Sequence, residues 1–180
     1  MKALINKTAL AIAAILMFSA CSSTQSLQEY YVDNSENPNF ISVDIPASIL
    51  NIAIDELSAP EKKAVESIRK LNILAFRKTG NNIVEFKAEK AKVSAILSDK
   101  KYNSLMKINS KLAKGTVKYL GDDDAIDEVV IYGNSDKDGF AVIRVLGDNM
   151  NPANLGLLIK AMEKSNFNGE GLGELGNLIK

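Results

Sequence analysis

Four short runs in the second half of the chain limit its possible folds more than any other feature. Residues 104–108 (SLMKI), 116–120 (TVKYL), 128–132 (EVVIY) and 140–146 (FAVIRVL) are strand-like with a period near two, and turn-rich connections separate them. Successive side chains of a strand point to opposite faces, so these runs predict half-buried strands. Short connections between them predict antiparallel neighbours, and together an antiparallel meander.

The first half is mixed. Residues 26–36 (SLQEYYVDNSE) predict a short helix that brings Leu27, Tyr30 and Tyr31 close to one face, and Asn37-Pro38-Asn39 ends it. Residues 40–45 (FISVDI) alternate, with Ile41, Val43 and Ile45 against Ser42 and Asp44. Pro46 suits a first helical turn, and Ile49, Leu50, Ala53, Ile54 and Leu57 come after it at helical spacing. Ser58 with Glu61 three residues on forms a capping box, opening a helix expected over 59–70 with Val65 and Ile68 on one side. In residues 71–78 (LNILAFRK) both phases are apolar: Leu71, Ile73 and Ala75 on one face, Leu74 and Phe76 on the other. A strand covered on both sides belongs inside a sheet. Residues 83–97 predict an amphipathic helix whose inner side holds Phe86, Val93, Ile96 and Leu97. Asn151-Pro152 is a helix start, and Leu155, Leu158, Ile159 and Met162 line one side of the helix it opens. The expected fold class is α+β, a largely antiparallel sheet with a C-terminal meander and helices covering one face.

The first twenty-one residues are of another kind. Lys2 and Lys7 form a basic head, residues 8–18 (TALAIAAILMF) carry no charge, and Ser19-Ala20 precede Cys21, the only cysteine. This is the architecture of a secretory signal with a small-residue cleavage site. Ending on a cysteine, it resembles the lipobox of bacterial lipoproteins, although Phe18 stands where Leu, Val or Ile is usual. In that class the thiol takes a diacylglycerol, the peptide is cut before the cysteine and the new amine is acylated. Two other readings of Cys21 are an uncleaved anchor with an idle thiol and ordinary signal-peptide cleavage. Physics favours lipidation, because the apolar run falls short of the roughly 20 residues of a membrane span. Buried methylenes contribute about 0.8 kcal/mol each, and a lipidated cysteine supplies more than one chain.

Residues 22–26 (SSTQS) then read as a polar, flexible tether. Position 22 is not the Asp that holds some lipoproteins at an inner membrane, and no acidic run succeeds Cys21 to mark surface export. By that resemblance the expected place is an outer membrane, facing the periplasm. The predicted organisation is a signal peptide over 1–20, lipidated cysteine and tether over 21–26, one α+β domain over 27–164 and a Gly-rich tail over 165–180.

The composition excludes much chemistry. Lys+Arg 22 balances Asp+Glu 22, so no field points to nucleic acid. There is no histidine and no second cysteine. That removes Ser-His-Asp and Cys-His nucleophilic systems and the common zinc ligand sets, and it leaves the domain no internal disulfide. Any enzyme here runs on carboxylates, lysines or hydroxyls.

The remaining candidates each have a plainer reading. Asn134, Asp136 and Asp138 with Gly139 space their oxygens like the opening of a calcium loop, but its twelfth position is Val145, where a bidentate glutamate belongs. A hairpin turn with Gly139 at positive φ explains the same residues. Asp122, Asp123, Asp124, Asp127 and Glu128 are the densest acidic cluster, read as a solvated loop or a cation or partner site. Residues 171–176 (GLGELG) satisfy G-x-G-x-x-G without the strand–turn–helix setting that dinucleotides need. Tyr30 and Tyr31 are either core or a contact surface near the tether. No catalytic, cofactor-binding or metal-ligating residue is assigned, and no cofactor is expected.

The order of elements also resembles a known family. An FISVDIP strand and a helix, a KLNILAF strand, and a charged helix ending near YNSLMKI lead to EVVIYGNSDKDGFAVIRVLGD and a closing helix. Over residues 27–164 this is similar to domain-of-unknown-function family 4252, small lipoproteins of Gram-negative bacteria, which brings no established activity with it. The expected function is a membrane-anchored, non-catalytic binding or assembly module. It would be held by the lipid on Cys21 and act through a protein partner of the envelope. The alternative is an envelope hydrolase built on Asp122, Asp124, Asp127 and Glu128.

Overall fold

In a computed structural model, which describes residues 25–49, 57–109, 114–122 and 125–151, the chain starts on a reciprocal cap. Ser26 Oγ accepts from the Glu29 N–H at 3.1 Å, and the Glu29 carboxylate accepts from the Ser26 N–H at 2.7 Å. Two of the orphan donors of a helix start are thereby satisfied, which fixes the first turn of α1 (Leu27–Asn34). These bonds hold the Glu29 carboxyl below its ordinary range, the backbone bond first.

Strand β1 (Phe40–Pro46) runs into a 3-10 turn (Ala47–Ile49). Ser58 and Glu61 then make the predicted capping box at α2 (Ala59–Glu66), whose first turn carries a proline. This helix stops four residues sooner than its apolar spacing suggests. Ser67 caps it, and Ile68 already belongs to β2 (Ile68–Arg77), where it pairs with Gly147. The close approach explains the choice: the Asp148 N–H donates to Ser67 O at 2.9 Å, and a Cβ on Gly147 would sit 2.3 Å from that same oxygen. Sheet pairing thus overrides helical spacing at Ile68.

Helix α3 (Ile83–Leu97) buries Phe86, Val93, Ile96 and Leu97, as its pattern requires. Its start is held by Asn82, whose amide donates to Asn39 Oδ1 and Arg77 O, each at 2.9 Å, while its oxygen accepts from the Thr79 N–H at 2.7 Å. The meander comes next as β3 (Asn103–Asn109), β4 (Lys114–Asp122), β5 (Ala125–Ser135) and β6 (Gly139–Met150).

The six described strands form one sheet in the order β1-β2-β6-β5-β4-β3, every pair antiparallel. The last strand of the meander therefore closes against β2, which explains why six consecutive residues of β2, Leu71 to Phe76, are buried. Each face has its own core. On one, α1 and α3 cover a row in which Phe40, Phe76 and Phe140 lie opposite one another, with ring centroids 5.0 and 5.5 Å apart along it. On the other, Val43, Ile73, Ile143, Ile131 and Val117 form a continuous cross-strand row. The fold is the α+β arrangement expected, with a difference: Val65 of α2 belongs to the second core, so the helices do not all lie on one face.

The hairpin between β5 and β6 turns at Asp136–Asp138, and Gly139 adopts φ 129°. A Cβ there would stand 1.9 Å from Phe76 O. Gly139→Ala is expected to cost about 1–3 kcal/mol, since it combines a forbidden φ with a backbone clash. Urea unfolding measures this, and a midpoint equal to wild type would contradict it.

Candidate functional site

Alternation places four polar side chains on the face that α1 and α3 close. Asp44 of β1 lies opposite Asn72 of β2, and Asn72 lies opposite Arg144 of β6. Glu128 of β5 completes the row diagonally. The Asn72 amide donates to Asp44 Oδ1. Arg144 grips Glu128 with two parallel bonds, Nε to Oε1 at 2.6 Å and Nη2 to Oε2 at 3.0 Å, and its Nη1 donates to Gln28 of α1. Asn72, Arg144 and Glu128 are all buried. From above, the Tyr31 hydroxyl donates to Asp44 Oδ1 at 2.7 Å and accepts from Ser42 Oγ at 2.9 Å.

A bidentate pair of this kind satisfies its own charges and fixes the register of the elements that bring it together. Here those elements are β5, β6 and the first turn of α1. Burial pushes the Tyr31 hydroxyl up to about 12, and the Tyr102 hydroxyl likewise to about 12. Helix α1 is anchored to the sheet through Gln28 and Tyr31, a short stretch of chain from Cys21.

A second buried group lies further along the same face. Tyr30 is fully enclosed, Tyr132 and Glu89 are buried, and Tyr30 Oη, Tyr132 Oη and Glu89 Oε2 have no hydrogen-bond partner among the described residues. Burial raises the Tyr30 hydroxyl far above its ordinary value, the adjacent Glu89 carboxylate adds to this, and burial pushes Tyr132 up to about 12. The other Glu89 oxygen accepts from Lys92 Nζ at 2.6 Å.

The residues singled out in sequence are dispersed. Asp122 and Asp127 are exposed, Glu128 is committed to Arg144, and Asp123 and Asp124 lie outside the described residues. The acidic cluster thus does not converge among the described residues. Asp136 projects outward and pairs with Lys90 Nζ at 3.2 Å; that bond holds its carboxyl below the ordinary range. Asp138 accepts from Ser135 Oγ at 2.8 Å within the turn and the Asn134 amide N–H donates to Lys114 O of β4 at 3.0 Å, so these residues of the supposed calcium loop serve a hairpin. Among the described residues no three acidic side chains gather where a metal ion would sit. Tyr30 and Tyr31 are core residues rather than a contact surface. Cys21, the helices expected around Leu50–Ile54 and Leu155–Met162, and the glycines of 171–176 lie outside the described residues.

Sequence reasoning missed Asn72, Arg144, Gln28 and Glu89. A signal was present: Asp44, Asn72 and Arg144 each interrupt an apolar strand at the phase occupied two or four residues away by Phe40, Leu74 or Val142.

No curated protein and no solved structure matches the chain significantly. The sequence model of one family matches residues 30–158, which takes in every strand just described and the residues of the polar row except Gln28. The chain belongs to the family described as domain of unknown function DUF4252.

Proposed function

We propose that this is a lipid-anchored envelope protein whose folded body is a non-catalytic binding or assembly module. The observation that carries the reading is the distance between its anchor and its fold. Cys21 comes after a charge-free apolar run and two small residues, and α1 is already capped at Ser26. Five residues of extended chain reach at most about 18 Å, so a lipid on Cys21 holds the body close to the bilayer. In this reading the membrane partner is the lipid layer itself, and a protein of the envelope is met at close range.

The carboxylates support the non-catalytic half of the proposal. A hydrolase needs two acidic groups converging on one cleft, one of them with a raised pKa. Glu128 is instead neutralised by Arg144, and Asp122 and Asp127 face solvent. The tether carries neither an Asp at 22 nor an acidic run, which favours an outer membrane and its periplasmic side.

Cys21→Ser tests the anchor. The expected result is loss of labelled fatty-acid incorporation and appearance of the protein as a soluble or unprocessed species in cell fractions. Continued labelling would refute the anchor. For the binding role, cross-linking in intact cells is expected to recover the same envelope protein repeatedly. Recovery of none would count against it.

A further inference from the structure

Helix α3 carries a carboxylate where its inner stripe calls for an apolar side chain. Glu89 sits three positions after Phe86 and four before Val93, and all three are buried. The spacing i, i+3, i+7 keeps them on the side that faces the sheet. Phe86 packs there against Phe76 and Phe140, with ring centroids 5.9 and 6.2 Å away. A carboxylate is rarely enclosed to this degree unless its oxygens are matched.

One oxygen is matched and the other is not. Glu89 Oε1 accepts from Lys92 Nζ at 2.6 Å, which balances the charge. Glu89 Oε2 has no hydrogen-bond partner among the described residues, and neither have the hydroxyls of Tyr30 on α1 and Tyr132 on β5. Glu89 is 6% exposed, Tyr30 0% and Tyr132 7%, so bulk water does not serve them. The three groups are neighbours: after burial itself, Glu89 does most to raise the Tyr30 hydroxyl, and Tyr132 adds to it. Packed rings keep the hydroxyls where they are. Tyr30 stands edge-on to Phe40 and Tyr132 is tilted against Phe140, each with centroids 6.1 Å apart, and Phe40 and Phe140 are 6.0 Å from each other. Neither hydroxyl swings onto Glu89 without disturbing that block.

We propose that Tyr30, Tyr132 and Glu89 form an internal binding site for one water molecule, a polar joint between α1, α3 and β5. The count of donors and acceptors fits a single molecule. Both hydroxyls donate to the water oxygen, and one water hydrogen goes to Glu89 Oε2. About three bonds is the usual number for a buried water. Water bridges a polar contact too long for a direct bond at little enthalpic loss. A monovalent cation fits less well, because Lys92 already balances the carboxylate.

High-resolution diffraction from the full-length protein tests this. The expected result is one peak of density within about 3.2 Å of all three oxygens. A direct bond from either tyrosine to Glu89 with no such peak would overturn the proposal. So would a peak that becomes anomalous on soaking with rubidium, which would assign the site to a monovalent cation. In solution, urea midpoints of Tyr30→Phe, Tyr132→Phe and the double variant give a second measurement, and each variant keeps its ring. If both hydroxyls hold the same water, the double variant shifts the midpoint by clearly less than the two single shifts added together. Additive shifts, or single variants with the wild-type midpoint, would overturn it.

Discussion

Arg144→Ala is expected to destabilise the domain by about 3–5 kcal/mol, because it leaves the Glu128 carboxylate buried with no counter-charge. Both Glu128 oxygens accept from Arg144. The loss would take a large part of a typical stability of about 5–15 kcal/mol. The double replacement Arg144→Met with Glu128→Leu should recover most of it, since removing both charges removes the desolvation cost together with the attraction. Urea midpoints of the two variants separate these effects. A single variant within about 1 kcal/mol of wild type would mean that water reaches the pair and that the row is ornamental to stability.

Alkali is the second large lever. Tyr31, Tyr102 and Tyr132 are buried, and burial holds each hydroxyl near 12 instead of 10. A raised folded pKa means that the unfolded chain gives up its proton first. The stabilisation is complete below pH 10 and is lost as pH rises toward 12. Holding one proton a single pH unit longer in the folded state is worth about 1.4 kcal/mol, so three such hydroxyls weaken the fold by several kcal/mol across this window. Tyr30, fully enclosed beside Glu89, is displaced in the same direction. Circular dichroism should therefore collapse between pH 10 and 12, together with the rise in phenolate absorbance from these rings. Phenolate appearing near pH 10 with the far-ultraviolet signal intact would contradict this account.

The architecture was legible where one period ran undisturbed. The capping residue Ser58, the apolar side of α3 and the phases of β2 were all readable, because each is set by neighbours within one or two turns. Ile68 was misplaced into a helix because a residue three positions after Val65 fits either element; its pairing with Gly147 decides, and nothing local announces that partner. The polar row was hidden for a similar reason. Asp44 and Ser42 look like the outward half of a half-buried strand, and Asp44 is indeed exposed; what their pattern does not show is that Tyr31 of α1 and Asn72 of β2 tie them to the buried end of the row. Gln28 and Arg144 are 116 positions apart, beyond the reach of any local pattern. Glu128 was grouped with Asp122, Asp123, Asp124 and Asp127 by proximity in the chain, whereas the strand turns Asp127 outward and Glu128 in.

The sheet order carries a consequence for how this chain comes into being. Strands β1 and β2 appear early, but the strand that β2 needs on its other side, β6, is the last to appear. A polypeptide delivered N-terminus first, from a ribosome or through a narrow pore, thus holds an unfinished half until about residue 150 has emerged. Pairing between distant strands is slow because loop closure precedes its reward. Strands β3 to β6 each pair with a neighbour in the chain, whereas the β2–β6 pairing must wait for the last strand. Until that moment the thread stays loose enough to be passed along.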